Sequence, residues 1–198
     1  MHAPPRLGCD LTSPSVTMGV SVALLLLLGS RPTLGTLREA VEANDPAAVH
    51  AALEVGADIN EIGADGMTFF QRGVLVGKFK AARALHVAGA DISIGDRDGY
   101  TALHVAALTG HTRVVKWLLK LGVETSPMHA DGFTPLHRAC WGAEAKHTDT
   151  VWALLDAGVP PDEPSADGQL PLAMASGNDN TRKLLLEALS EQQRARRG

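Results

Sequence analysis

Residues Asp98 to Ser126 read DGYTALHVAALTGHTRVVKWLLKLGVETS. An Asp98-Gly99 turn opens the stretch. Thr101 follows, then Leu103, Ala106 and Ala107, whose spacing puts them on one helical face. Gly110 ends that short helix, because glycine tolerates the left-handed conformation a helix stop needs. Val114, Val115, Leu118 and Leu119 form a second apolar set at helical spacing, and Gly122 ends it. The stretch therefore predicts two antiparallel helices joined by a tight turn. Neither helix is long enough to persist alone in water, so the unit needs neighbours.

The neighbours follow from a period. Asp-Gly pairs recur at Gly66, Gly99, Gly132 and Gly168, at intervals of 33, 33 and 36 residues. The stop glycines Gly56, Gly89, Gly122 and Gly158 repeat those intervals. A fixed period of this length marks a solenoid. The motifs Thr101-Ala102-Leu103-His104-Val105-Ala106-Ala107, Thr134-Pro135-Leu136-His137-Arg138-Ala139-Cys140 and Gly89-Ala90-Asp91-Ile92 resemble the ankyrin repeat family. The resemblance covers about residues 34–189 and is strongest in the third and fourth units.

Five units are expected, over about 34–60, 64–93, 97–126, 130–162 and 166–189, in an all-α solenoid with short hairpin-like loops. In the first, Leu37, Ala40 and Val41 mark the inner helix. Asp45-Pro46 starts the outer one with a capping carboxylate and a proline in the first turn. In the second, Phe69-Phe70 replaces Pro-Leu, Gln71 replaces histidine, and Gly73-Val74 replaces Ala-Ala. Gly73 should cost that inner helix up to about 1 kcal/mol against alanine. The fourth unit carries three extra residues near Gly142 to Lys146, with Thr148 expected as the next N-cap. In the fifth, Leu170 and Ala173 replace threonine and histidine, and Leu184, Leu185 and Leu189 face inward. Polar residues at both ends of the stack fit capping units. Residues 190–198, SEQQRARRG, read as a polar, basic, fraying tail.

Residues 1–33 differ from the rest. Val20 to Leu28 is too short for a membrane span, which takes about 20 residues, but has the length of a signal-peptide core. Its flanks are poor, since Pro4, Pro5 and Pro14 interrupt the approach. Met18 offers an alternative start. A cleaved signal peptide and a disordered leader are both open readings. The first implies the secretory pathway; the family resemblance implies the cytoplasm.

Composition narrows the function classes. The net charge of −4, with signs well mixed, lacks the concentrated basic face of a nucleic-acid binder. Two cysteines, Cys9 and Cys140, build no disulfide framework. No nucleophile elbow or phosphate-cradling glycine loop is present. His137, Cys140 and His147 suit a metal-dependent enzyme only if a fourth ligand joins them. No cofactor and no small-molecule substrate is called for, and a monomer is expected.

The resemblance implies a structural role for the turn glycines Gly66, Gly99, Gly132 and Gly168. It implies that His104 and His137 bond Thr101 and Thr134. It further implies non-catalytic binding of another protein, as a scaffold or adaptor, through hairpin tips and inner-helix faces. The matching positions are Ala64 and Met67; Arg97, Tyr100, Leu108 and Thr109; Met128, His129, Phe133, Arg138 and Trp141; Ala166 and Gln169. Arginine and aromatic residues are what binding hot spots favour. Trp117 and Trp152 lie in outward slots of the outer helices, where packing between units is expected. An ankyrin module of a larger assembly is the remaining alternative.

Overall fold

A computed structural model of the chain describes residues 36–96 and 98–198. The leader, its Val20 to Leu28 run and Arg97 lie outside the described residues. Ten α-helices are present among the described residues, with a single antiparallel bridge between Ile62 and Thr68. The helices pair as α1 (Leu37–Glu42) with α2 (Pro46–Glu54), α3 (Phe69–Leu75) with α4 (Phe79–Val87), and α5 (Ala102–Thr109) with α6 (Thr112–Lys120). Then come α7 (Pro135–Cys140) with α8 (Ala145–Asp156), and α9 (Pro171–Met174), a 3-10 turn (Ala175–Gly177) and α10 (Asp179–Arg197). Odd-numbered helices form an inner layer and even-numbered ones an outer layer, each packing on its counterpart in the next unit except at α4 and α6, whose backbones stay apart. The fold is the expected all-α solenoid.

The apolar stripes meet between the layers. Val41, Val49, Val74, Leu85, Ala106, Val115, Leu118, Leu154 and Leu185 are fully buried, and one core runs through all five units. Burying a leucine or valine side chain contributes about 1.5–3 kcal/mol, which offsets the marginal stability of such short helices. The four Asp-Gly turns share one design. In each, the glycine sits at φ between +79 and +84°, and a backbone hydrogen bond closes the hairpin: Gly63 to Met67, Asp96 to Tyr100, His129 to Phe133, Ser165 to Gln169. The turns also stack. The Ala130 N–H donates to the Asp98 carbonyl and the Ala166 N–H to the Gly132 carbonyl, both at 2.9 Å.

Asp45 accepts from the Ala47 and Ala48 N–H groups and caps α2. Gly110, at φ 68°, ends α5 in the left-handed conformation. Three local expectations fail. Thr148 is no N-cap: α8 begins at Ala145, and the Thr148 hydroxyl lies 2.8 Å from that of Thr181 in the last unit. The extra residues lengthen the helix, giving 12 residues where α4 and α6 have nine. Residues 190–197 do not fray. They continue α10, and Gln192 and Arg196 reach Asp162 at 2.9 and 3.1 Å. The two outer-helix tryptophans also diverge. Trp117 packs as expected, between Phe70, Phe79 and His86 with ring centroids 5.4–6.0 Å away. Trp152 stays 46% exposed beneath the Lys116 ammonium.

Candidate functional site

The entry to each inner helix is fixed by a threonine and the residue three positions on. In the third unit the Thr101 hydroxyl and N–H both lie within 3.2 Å of His104 Nδ1. Nδ1 accepts, so Nε2 carries the proton and donates to the Phe133 carbonyl at 3.2 Å. His137 repeats this with Thr134 and the Gln169 carbonyl, at 2.8 and 3.0 Å. Gln71 does the same in the second unit. Its Oε1 accepts from the Thr68 N–H at 2.9 Å and its Nε2 donates to the Tyr100 carbonyl at 2.7 Å. Each of the three thus ties its own helix start to the turn of the following unit. Burial pushes the His104 pKa down to about 4 and lowers that of His137, because neither ring reaches water to solvate a charge.

Beside these boxes the turns of the third and fourth units carry an aromatic cluster. Arg138, on α7, forms an ion pair with Asp131. Its guanidinium carbon lies 5.3, 5.4 and 5.1 Å from the ring centroids of Tyr100, Phe133 and Trp141. His129 closes the group, 5.0 Å edge-on from Tyr100 and 2.8 Å from Asp131. Burial of the Asp131 carboxyl opposes ionisation, but hydrogen bonds from His129, Phe133 and Arg138 prevail and hold it below the usual carboxylate range.

Arg138 itself is 7% exposed, with its Nε buried and unpaired among the described residues. It lies beneath the surface and sets the positions of the rings around it. The exposed members are Trp141 at 53%, Met128 at 50% and Leu108 at 39%. Leu108 and Trp141 occupy equivalent positions at the ends of adjacent inner helices, 33 residues apart. Tyr100, Phe133 and Met67 are half-buried in the column of turns.

The metal alternative does not assemble. Both ring nitrogens of His137 are engaged, and the Cys140 thiol is buried with its pKa pushed up to about 12. His147 Nε2 faces the Leu108 carbonyl at 3.1 Å. Among the described residues no three His, Cys, Asp or Glu side chains gather to hold a metal ion. No described helix is long and apolar enough to cross a membrane.

Two contacts between units lie outside the sequence reading. Asn44, at φ 56°, ends the first inner helix, and its side chain accepts from the Ala81 N–H at 3.0 Å, capping α4 of the next unit. His111 Nε2 lies 3.1 Å from the Leu75 carbonyl, as His147 does from Leu108. The only sequence signal was the position of Asn44, 33 residues before Gly77.

Repeated helix pairs, stacked turns and threonine-anchored helix starts define a helical repeat protein. The model for ankyrin repeats (3 copies) matches residues 37–128 and, overlapping them, 73–163. The chain belongs to the ankyrin repeat family. Repeats of this family are generally protein–protein interaction modules and typically non-enzymatic. No curated protein matches the chain.

Proposed function

We propose that the chain is a scaffold or adaptor that docks another protein on the face formed by the turns and inner helices of units three and four. One observation carries this reading: Trp141, Met128 and Leu108 are exposed, and the rings beside Trp141 pack on Arg138, which is itself buried and paired with Asp131. A surface fixed before binding loses little side-chain entropy when a partner docks. Tryptophan is also enriched among residues that dominate binding energy. Tyr100, His129 and Phe133 supply the floor, and Met67 extends the column toward the second unit. A partner would cover about 800 Å² of this surface, a standard interface.

The test is affinity capture from native lysate with the wild type and a Trp141→Ala/Met128→Ala double variant. Both residues are exposed, so the fold should survive, which circular dichroism checks. Loss of one or more wild-type partners is expected. An unchanged set of captured proteins counts against the reading.

A further inference from the structure

The outer layer carries a feature the turn face does not explain. Helices α4 and α6 read FKAARALHV and TRVVKWLLK. They hold five Lys and Arg residues, Lys80, Arg83, Arg113, Lys116 and Lys120, and no acidic residue, in a chain whose net charge is −4. All five are exposed, and none forms an ion pair among the described residues. Large side chains bridge the two helices where their backbones do not approach closely: Trp117 meets Phe79 edge-on at 5.4 Å, and the Arg113 guanidinium lies 4.3 Å from the Phe79 ring centroid. A recess of about 370 Å³ opens beside them. Phe79, Ala84 and Val87 form its apolar wall, and Lys80, Arg83 and Arg113 stand on its rim. No carboxylate lines it. Asp156 faces Lys116 and Lys120 in a separate, neighbouring recess. Val87 is 70% exposed, so its side chain is open to an incoming group.

We infer that this recess on the outer helices is a second docking site, for an acidic peptide segment that places an apolar side chain against Phe79 and Val87 and carboxylates on Lys80, Arg83 and Arg113. Charge complementarity selects the acidic partner, and the apolar wall selects the side chain between the carboxylates. Only three cations reach the recess, short of the roughly 6–10 phosphate contacts behind strongly salt-dependent nucleic-acid binding. The apolar atoms line a hollow, so they receive a side chain rather than enter a bilayer. The site lies on the opposite layer from the turn face, and its test is independent of that surface.

The probe is a fluorescent synthetic peptide with Leu at helical spacing and Glu between, titrated by anisotropy into the full chain. Comparison ligands are an all-Glu peptide of equal length, phosphatidylcholine/phosphatidylserine vesicles and a single-stranded oligonucleotide. Saturable, salt-sensitive binding of the Leu/Glu peptide is expected. Lys80→Glu/Arg83→Glu/Arg113→Glu should weaken it by about tenfold or more, and Val87→Ser, which leaves every charge in place, by about threefold. Arg182→Glu/Lys183→Glu on α10 and Trp141→Ala should leave it unchanged. Absence of saturable binding, equal affinity for the all-Glu peptide, tighter binding to vesicles or oligonucleotide, or indifference to both recess variants each overturns the assignment.

Discussion

The second and fourth units make the same ion pair and surround it differently. Asp65 and Arg72 occupy the positions of Asp131 and Arg138, seven residues apart in each case, and Arg72 Nη2 reaches Asp65 Oδ2 at 2.5 Å. Arg72 has no aromatic ring over it among the described residues, whereas Arg138 has three. The pair alone is therefore enough to brace a turn. The rings around Arg138 go beyond what bracing requires, and the docking face proposed for units three and four rests on that surplus. A similar lesson comes from the helix starts. Gln71 bonds as His104 and His137 do, so the geometry needs an acceptor and a donor on one side chain, not an imidazole.

The largest effect should separate the two arginines. Arg138→Ala removes three cation–π contacts, each about 0.5–1 kcal/mol, together with the packing of a buried stem. A loss of about 2–3 kcal/mol is expected in urea unfolding. Arg72→Ala should cost less than about 1 kcal/mol, as for a partly exposed pair. Equal losses would mean that the aromatic surround adds nothing.

Next comes the imidazole. The folded pKa of His104 is about 4, against an unfolded value near 6.5, so the unfolded chain takes up the proton first. The contribution of this residue is thus complete above about pH 6.5 and is lost as pH falls toward 4, by on the order of 3 kcal/mol. His104→Gln copies the second unit. It should hold stability near neutrality and flatten the acid limb of a stability–pH curve. A variant that keeps the wild-type slope would assign the acid loss to other groups.

The smallest change sharpens the comparison from the other side. A Cβ added at Gly73 would lie 3.5 Å from Ala82 Cβ and Val41 Cγ1, ordinary contact distances, on a helical backbone. Gly73→Ala should therefore stabilise the fold by about 0.5–1 kcal/mol, read as a higher urea midpoint. Gly132→Ala should act in the opposite sense, because its φ is +84° and the new Cβ would lie 2.5 Å from Ala166 Cβ in the stacked turn. A neutral outcome at Gly132 would show that the turns yield more readily than their hydrogen bonds imply.

Much of this architecture was legible in one sequence, because the period, the turn glycines and the apolar spacing are local patterns. The reading of Gln71 as a histidine substitute was also local. What stayed hidden depends on partners in other units. Thr148 has the chemistry of a cap, but three added residues started the helix a turn earlier and turned its hydroxyl toward Thr181. The polarity of residues 190–198 pointed to fraying, since nothing nearby shows that Asp162 waits about 30 residues upstream for Gln192 and Arg196. Arg138 has the composition of a hot spot, and only the surrounding rings decide that it is buried. Asn44 gives no local sign of its role, because its reach to Ala81 crosses 37 residues.

The contacts from Gln71, His104 and His137 all run forward, each from a helix start to the hairpin that follows. Synthesis on a ribosome proceeds in that same direction. Every donor at such a junction therefore emerges before its acceptor and finds it only about 30 residues later, so maturation of the nascent chain should advance in steps, each completed by the arrival of the next hairpin.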